Sequence, residues 1–210
     1  MIERTFYLIN NMFIFFLGSY IVFKNILSPL KSLQYFQSQH IINAIEYLYK
    51  SRIIHRDLRP QNLILDESNV YAKLIDFGFA TIFETNKETK RLPIEGVISY
   101  GGLKFLEHCA ELFFKAATLS FYEYERTFDL PCAINIIMYM TNNSIKNQLT
   151  SFKRLQTIHE RIAKSREYWL QIKGENKNYA HLLNLIHHME KSPNFDLIKQ
   201  EIRILHDKSK

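Results

Sequence analysis

From Pro29 to Ile53 the side chains Leu33, Phe36, His40, Ile41, Ala44, Ile45 and Leu48 recur at helical spacing, which predicts an amphipathic helix. The period then changes. "NLIL" (Asn62 to Leu65) and "YAKLI" (Tyr71 to Ile75) are short runs rich in Leu and Ile, and "DESN" (Asp66 to Asn69) between them is a turn cluster, so a β-hairpin is expected. The stretch from Phe79 to Gly102 is polar and irregular. "RTFDLPCAINIIMYM" (Arg126 to Met140) reads as a buried helix. Ser144 to Ile172, Asn178 to Lys191 and Ser192 to Lys208 read as three amphipathic helices, with Gly174 near a break and Ser192-Pro193 at a boundary. The pattern is mainly α, an α+β class with one small hairpin. Trp169 and the Leu182, Leu183, Leu185, Ile186 cluster belong to the core.

The first stretch differs. No charged residue occurs from Thr5 to Phe23, a length approaching the roughly 20 apolar residues that span a bilayer. Asn10, Asn11 and the Glu3-Arg4 pair weigh against a span. The segment is expected to form a helix lying against or projecting from the rest of the chain, without signal-type cleavage. Membrane association through residues 5–23 stays open as an alternative to a cytoplasmic protein.

Composition narrows the class. A chain of 210 residues with 47% apolar content suits one globular domain with a real core. The net charge of +6 is scattered apart from Asn86–Arg91 and Ser151–Arg166, which read as a basic loop and solvated helix faces, so no specific nucleic-acid partner is expected. Two cysteines, Cys109 and Cys132, suit a reducing compartment rather than a disulfide framework. His187 and His188 lack the acid partner spacing of a zinc site.

The hairpin has a chemical consequence. It brings Asn62, at the start of its first strand, and Asp76, just past its second, to within roughly 5 Å, the spacing of paired strands. Two hard oxygen ligands there suit a Mg²⁺ that takes its remaining ligands from water and phosphate. Asp57, on the loop feeding the first strand, can accept a proton or orient a hydroxyl at the same mouth. The chemistry indicated is phosphoryl transfer.

"HRDLRPQN" (His55 to Asn62) followed by "DFG" (Asp76 to Gly78) resembles the catalytic and metal-binding loops of the eukaryotic protein-kinase family. The resemblance implies a kinase-like C-terminal lobe with ATP and Mg as cofactors. It makes Asp57 the catalytic aspartate, Asn62 and Asp76 the magnesium ligands, and Ile64 the apolar floor under the adenine. Arg56 becomes the basic residue that in many kinases meets an activation-loop phosphate. Arg59 stands where most serine/threonine kinases have lysine near the transferred phosphate, and brings a planar fork in place of a point charge. His55, Leu63 and Phe77 read as packing residues. The Pro29 helix resembles the scaffold helix of that lobe, Asp129 the aspartate that supports the catalytic-loop backbone, and Phe79–Gly102 the activation segment. In that segment Thr81, Thr85 and Thr89 are candidate phosphorylation sites near Lys87, Lys90 and Arg91.

The resemblance decays at "GVISYGGLK". Val97 replaces a threonine, and Gly102, Leu103 and Lys104 replace the closing Ala-Pro-Glu, a reversal of charge that touches peptide-substrate binding. Gly18 is the only glycine before the catalytic loop, so no phosphate-covering glycine loop can be written upstream, and "IVFK" is only a faint match to the strand carrying the N-lobe lysine. Residues 1–27 are therefore expected to be a separate hydrophobic segment and residues 28–210 a partial kinase domain whose upper lobe comes from elsewhere. The implied function is ATP- and Mg-dependent transfer to hydroxyl groups of a protein substrate, Ser/Thr rather than Tyr, slow or absent in this chain alone. A non-catalytic pseudokinase-like module that binds a protein partner, or a membrane-anchored interaction protein, stays open.

Overall fold

Where the N-terminal apolar stretch is described, it folds as strands, not as the helix its missing charges suggest. In the computed structural model, which describes residues 14–17, 20–23, 28–66, 68–96, 98–114, 120–187 and 193–207, β1 (Ile14–Leu17) and β2 (Tyr20–Phe23) pair antiparallel with Leu17 opposite Tyr20. Ile, Phe, Val and Tyr favour strands, and Gly18-Ser19 between them in sequence is the Gly-first pair that short hairpin loops prefer. Residues 5–13 of the expected helix lie outside the described residues. Among the described residues no helix is long and apolar enough to cross a membrane.

β3 (Ser28–Pro29) leads into α1 (Tyr35–Lys50), which opens with a reciprocal Gln34–Gln37 capping box and buries Ile41, Ile42, Ile45 and Leu48. Phe36 stands at the solvent edge of that stripe, exposed and edge-on to His40. After α1 come β4 (Ile53–Ile54), a single 3₁₀ turn at Pro60–Asn62, and the expected hairpin, β5 (Leu63–Leu65) with β6 (Ala72–Leu74). Leu63 faces Leu74 and Leu65 faces Ala72, and β3 adds to the other edge of β5. In the turn, one oxygen of Asp66 accepts the Val70 and Tyr71 amides, the Asx chemistry that "DESN" offers.

β7 (Thr81–Ile82) pairs with β4, and β8 (Thr89–Pro93) pairs with β9 (Phe121–Glu125), so the segment after "DFG" is ordered by two short ladders. α2 (Leu103–Phe114) lies between β8 and β9 in sequence. α3 (Asp129–Thr141) is buried nearly all round, as a helix with so little polar surface must be, and α1 packs against it. The long helix expected over Ser144–Ile172 is two, α4 (Asn143–Phe152) and α5 (Ile158–Glu175). Thr157 restarts the helix by bonding the Glu160 amide while Glu160 reaches back, a signal written in the sequence as "TIHE". α5 runs through Gly174, and the break falls at Asn176, whose side chain caps α6 (Lys177–His187). α7 (Phe195–Asp207) then packs on α1. The architecture is mainly helical with small antiparallel sheets, a kinase-like C-terminal lobe.

A buried polar network fixes the centre. Asn135 of α3 donates to the Tyr100 and Gly101 carbonyls, and accepts from the Tyr179 hydroxyl of α6 at 2.6 Å. Trp169 of α5, fully buried, donates its indole N–H to Ser99 at 3.0 Å. Both tie the end of the 79–101 segment to the helical core. Burial pushes the Cys109 thiol up to about 12 and raises Cys132 further, so neither is a nucleophile at neutral pH.

Candidate active site

The loop from His55 to Asn62 is held in place from below. Asp129, at the start of α3, accepts the amide of His55 at 2.5 Å and that of Arg56 at 3.1 Å, which matches the bracing role its position implies. Burial pushes the Asp129 carboxyl above its usual range, while the His55 and Arg56 groups pull the other way. His55 is wholly buried between two parts of the site. Its Nδ1 accepts the Asp57 amide at 3.3 Å and its Nε2 lies 3.0 Å from the Ile75 carbonyl, so the tautomer with the proton on Nε2 satisfies both. Phe77 packs edge-on against the ring. His55 thus sets the distance between the Asp57 loop and the end of the hairpin.

Arg56 and Asp76 both adopt the left-handed region, at φ +70° and +65°, a strained state for residues with side chains. In Arg56 it turns the guanidinium away from the site and into the segment that follows. There it donates to the Phe79 carbonyl at 3.2 Å and to the Pro93 carbonyl, pairs with Glu95 at 3.2 Å, and stacks on the Tyr124 ring at 4.6 Å. The residue expected to meet a phosphate meets a carboxylate of the chain itself. Gly96, at φ +82°, follows so closely that a Cβ there would lie 2.5 Å from the Arg56 carbonyl oxygen and 3.1 Å from Asp57 Oδ1.

The residues with candidate chemistry converge. Asn62 donates from Nδ2 to the Asp57 carbonyl at 2.8 Å and to Asp57 Oδ2 at 2.9 Å. Its Oδ1 accepts instead from Arg59 Nε at 3.3 Å. Arg59 Nε also lies 3.2 Å from Asp57 Oδ2, and its Nη2 lies 3.8 Å from Asp76 Oδ2. One guanidinium therefore spans Asp57, Asn62 and Asp76. Asp57 and Asn62 are buried, while Asp76 is half exposed at 52% of its side chain, so the cluster opens to solvent on the Asp76 side. Ile64 is buried in β5 opposite Pro29 and Lys73. Among the described residues no three His, Cys, Asp or Glu side chains gather around a metal-sized centre. A hollow of about 600 Å³ among α3, α4 and α5, lined in part by Met138, Asn142, Tyr168 and Gln171, shares no residue with this cluster.

The candidate phosphorylation sites have unlike surroundings. Thr81 Oγ1 accepts from Lys90 Nζ at 3.2 Å, whereas Thr89 donates to Glu123 at 2.7 Å, an acid that would repel a phosphate. Lys104, at the charge reversal, pairs with Glu125 of β9, and the ion pair joining α2 to α5 is instead Glu107–Arg166 at 2.9 Å. Sequence reasoning missed Glu95, Gly96 and Asn135. Asn135 alone left a trace, as one amide inside an apolar run.

Residues 15–100 match the model of the protein kinase domain, so the match includes β2 and all of β1 but Ile14, and ends at Tyr100. It takes in Asp57, Arg59, Asn62, Ile64 and Asp76. Curated relatives agree over shorter stretches. The chain is similar to the carbon catabolite-derepressing protein kinase of Candida glabrata, 44% identical over 66 residues, 31% of this chain and 10% of that protein. It is 56% identical over 41 residues to the serine/threonine-protein kinase fused of Drosophila melanogaster, 20% of this chain and 5% of that one. Over 102 residues it is 32% identical to the serine/threonine-protein kinase TIO of Arabidopsis thaliana, 49% of this chain and 6% of that one. The chain spans a tenth or less of the length of each. The matched stretch, which contains the His55–Asn62 loop braced by Asp129 and meeting Asp76 through Arg59, is thus similar to the protein kinase domain.

Proposed function

We propose that this chain carries the lower half of a protein-kinase site, for ATP- and Mg-dependent phosphoryl transfer to serine or threonine hydroxyls of a protein. The observation that carries the reading is the orientation of Asn62. Both N–H bonds of its amide are committed to Asp57, which leaves its oxygen to the Arg59 guanidinium, the group that also reaches Asp76. A hard-oxygen pair of this kind fits Mg²⁺, which when bound supplies charge neutralisation for the phosphates. Asp57 is positioned by the same amide to accept the hydroxyl proton, Ile64 underlies the adenine, and Arg59 brings its cation to the transferred phosphate.

Positioning and electrostatic stabilisation supply nearly all catalysis in this reaction class, so half a site loses most of the rate. The chain alone is expected to bind Mg²⁺–ATP weakly and to transfer phosphate slowly. Fusion to a compatible upper lobe restores transfer, and Asp57→Asn in the fusion lowers it by about 10²–10⁴-fold, the range for a positioned general base. Transfer of labelled γ-phosphate to a mixed Ser/Thr and Tyr peptide set measures both points. Transfer that survives Asp57→Asn overturns the assignment. A well-folded but inactive fusion favours the second reading, a non-catalytic binding module, for which the specific observation is the guanidinium already spanning all three oxygen-bearing side chains.

A further inference from the structure

We propose that Arg59 is an internal counter-cation that competes with the divalent metal for Asn62 and Asp76, and so latches the site in its metal-free form. The inference rests on the reading of those two residues as metal ligands. The Asn62 amide has one lone-pair-bearing oxygen to offer, because its nitrogen is bound to Asp57, and that oxygen accepts from Arg59 Nε at 3.3 Å. The other end of the same guanidinium, Nη2, stands 3.8 Å from Asp76 Oδ2. A divalent ion held by both oxygens must displace a group that touches both. Arg59 also lies against Asp57 Oδ2 at 3.2 Å, so in the latched form the proton acceptor is engaged as well.

Geometry makes this a property of arginine rather than of positive charge. A planar fork carries donors on Nε and on both terminal nitrogens, and can face two acceptors in different directions at once, whereas an ammonium is a single point. The latch is also releasable. The Arg59 side chain is 34% exposed and its bond to Asp76 is long, so the cost of swinging it out is that of a partly solvated ion pair, not a buried one. Released by a metal–nucleotide complex, the same cation is free to meet the phosphate. Latch and phosphate contact are alternative positions of one side chain.

Mn²⁺ alone is the probe, followed by water-proton relaxation with the full chain, with no need for activity. Arg59→Gln is expected to tighten Mn²⁺ binding by about tenfold, the scale for removing one charge beside a divalent ion, and Arg59→Lys by a smaller factor. In the unmutated chain, saturating Mg²⁺ should expose the Arg59 Nε–H to faster solvent exchange in ¹⁵N spectra, a readout independent of any variant's folding. Unchanged Mn²⁺ affinity in Arg59→Gln, or wild-type affinity in Arg59→Lys, overturns the latch. Asp76→Asn separates this from failure of the metal reading. Mn²⁺ binding that survives in Asp76→Asn shows that the ion sits elsewhere, and both proposals then fall.

Discussion

Arg56 and Arg59 are three residues apart on one loop and are used in opposite ways. Arg56 is buried, with its side chain 5% exposed, and its guanidinium is committed to carbonyls at both ends of the 79–95 segment, to Glu95 and to the Tyr124 ring. Arg59 is one-third exposed and reaches its three partners at 3.2 to 3.8 Å. The first is structural, because a buried guanidinium stripped of partners is costly. The second is adjustable, because water replaces whatever it gives up. What separates them is the backbone, since φ +70° at Arg56 sends its side chain inward while Arg59, extended at φ −155°, faces the mouth.

Perturbing the supports of Arg56 gives the largest expected effect. Asp129→Ala leaves two buried amides without an acceptor and should cost about 3–4 kcal/mol in urea unfolding. Asp129→Asn sharpens this through pH. Burial raises the Asp129 carboxyl above its ordinary 3.8, so the folded state holds the proton more tightly than the unfolded one. Its contribution is therefore full below pH 3.8 and declines as pH rises through the raised value. The stability difference between wild type and Asp129→Asn should fall over that window, and a flat difference would show that the two amide bonds cancel the burial.

Gly96→Ala comes next. It forces a Cβ against the Arg56 carbonyl in a left-handed conformation, for an expected loss of about 2–3 kcal/mol. Because the same Cβ approaches Asp57, any transfer activity of the upper-lobe fusion should drop more than stability does. Glu95→Gln removes the half-exposed carboxylate but keeps its shape, for about 1 kcal/mol, with faster proteolysis between Glu84 and Glu88 as the local readout. Arg59→Gln closes the series, with unfolding free energy within about 0.5 kcal/mol of wild type. A loss there comparable with that of Asp129→Ala would erase the distinction between the two arginines.

Much of this was legible because the chemistry is written in one continuous stretch. The hairpin falls within a residue of its expected limits, since alternating apolar runs and an Asx turn are local signals. α1 follows from its periodicity in the same way, and α3 from its unbroken apolar run. Glu95 was not legible as the partner of Arg56, because nothing local joins residues 39 positions apart. The Arg59 bridge depends on the left-handed turn at Asp76, which "DFG" does not spell out. β9 did carry a signal, with Tyr122 and Tyr124 buried and Glu123 exposed between them, and the alternation was overlooked beside the decaying family motif. At the N-terminus a short apolar run is ambiguous between helix and strand, and the central Gly18 was the informative residue.

The brace at Asp129 also sets the order in which the protein can be made. Its bonds to His55 and Arg56 span 74 and 73 residues of chain, so during synthesis the catalytic motif emerges well before the side chain that fixes its backbone. The left-handed turn at Arg56 costs about 1–3 kcal/mol, and the carboxylate that holds its backbone amide arrives only with α3. A nascent chain that ends short of Asp129 carries the letters of the site without its geometry. In the finished protein the same connection means that any opening of α3 dismantles the site at once, so the amides of residues 55 and 56 should exchange hydrogen together with those of α3.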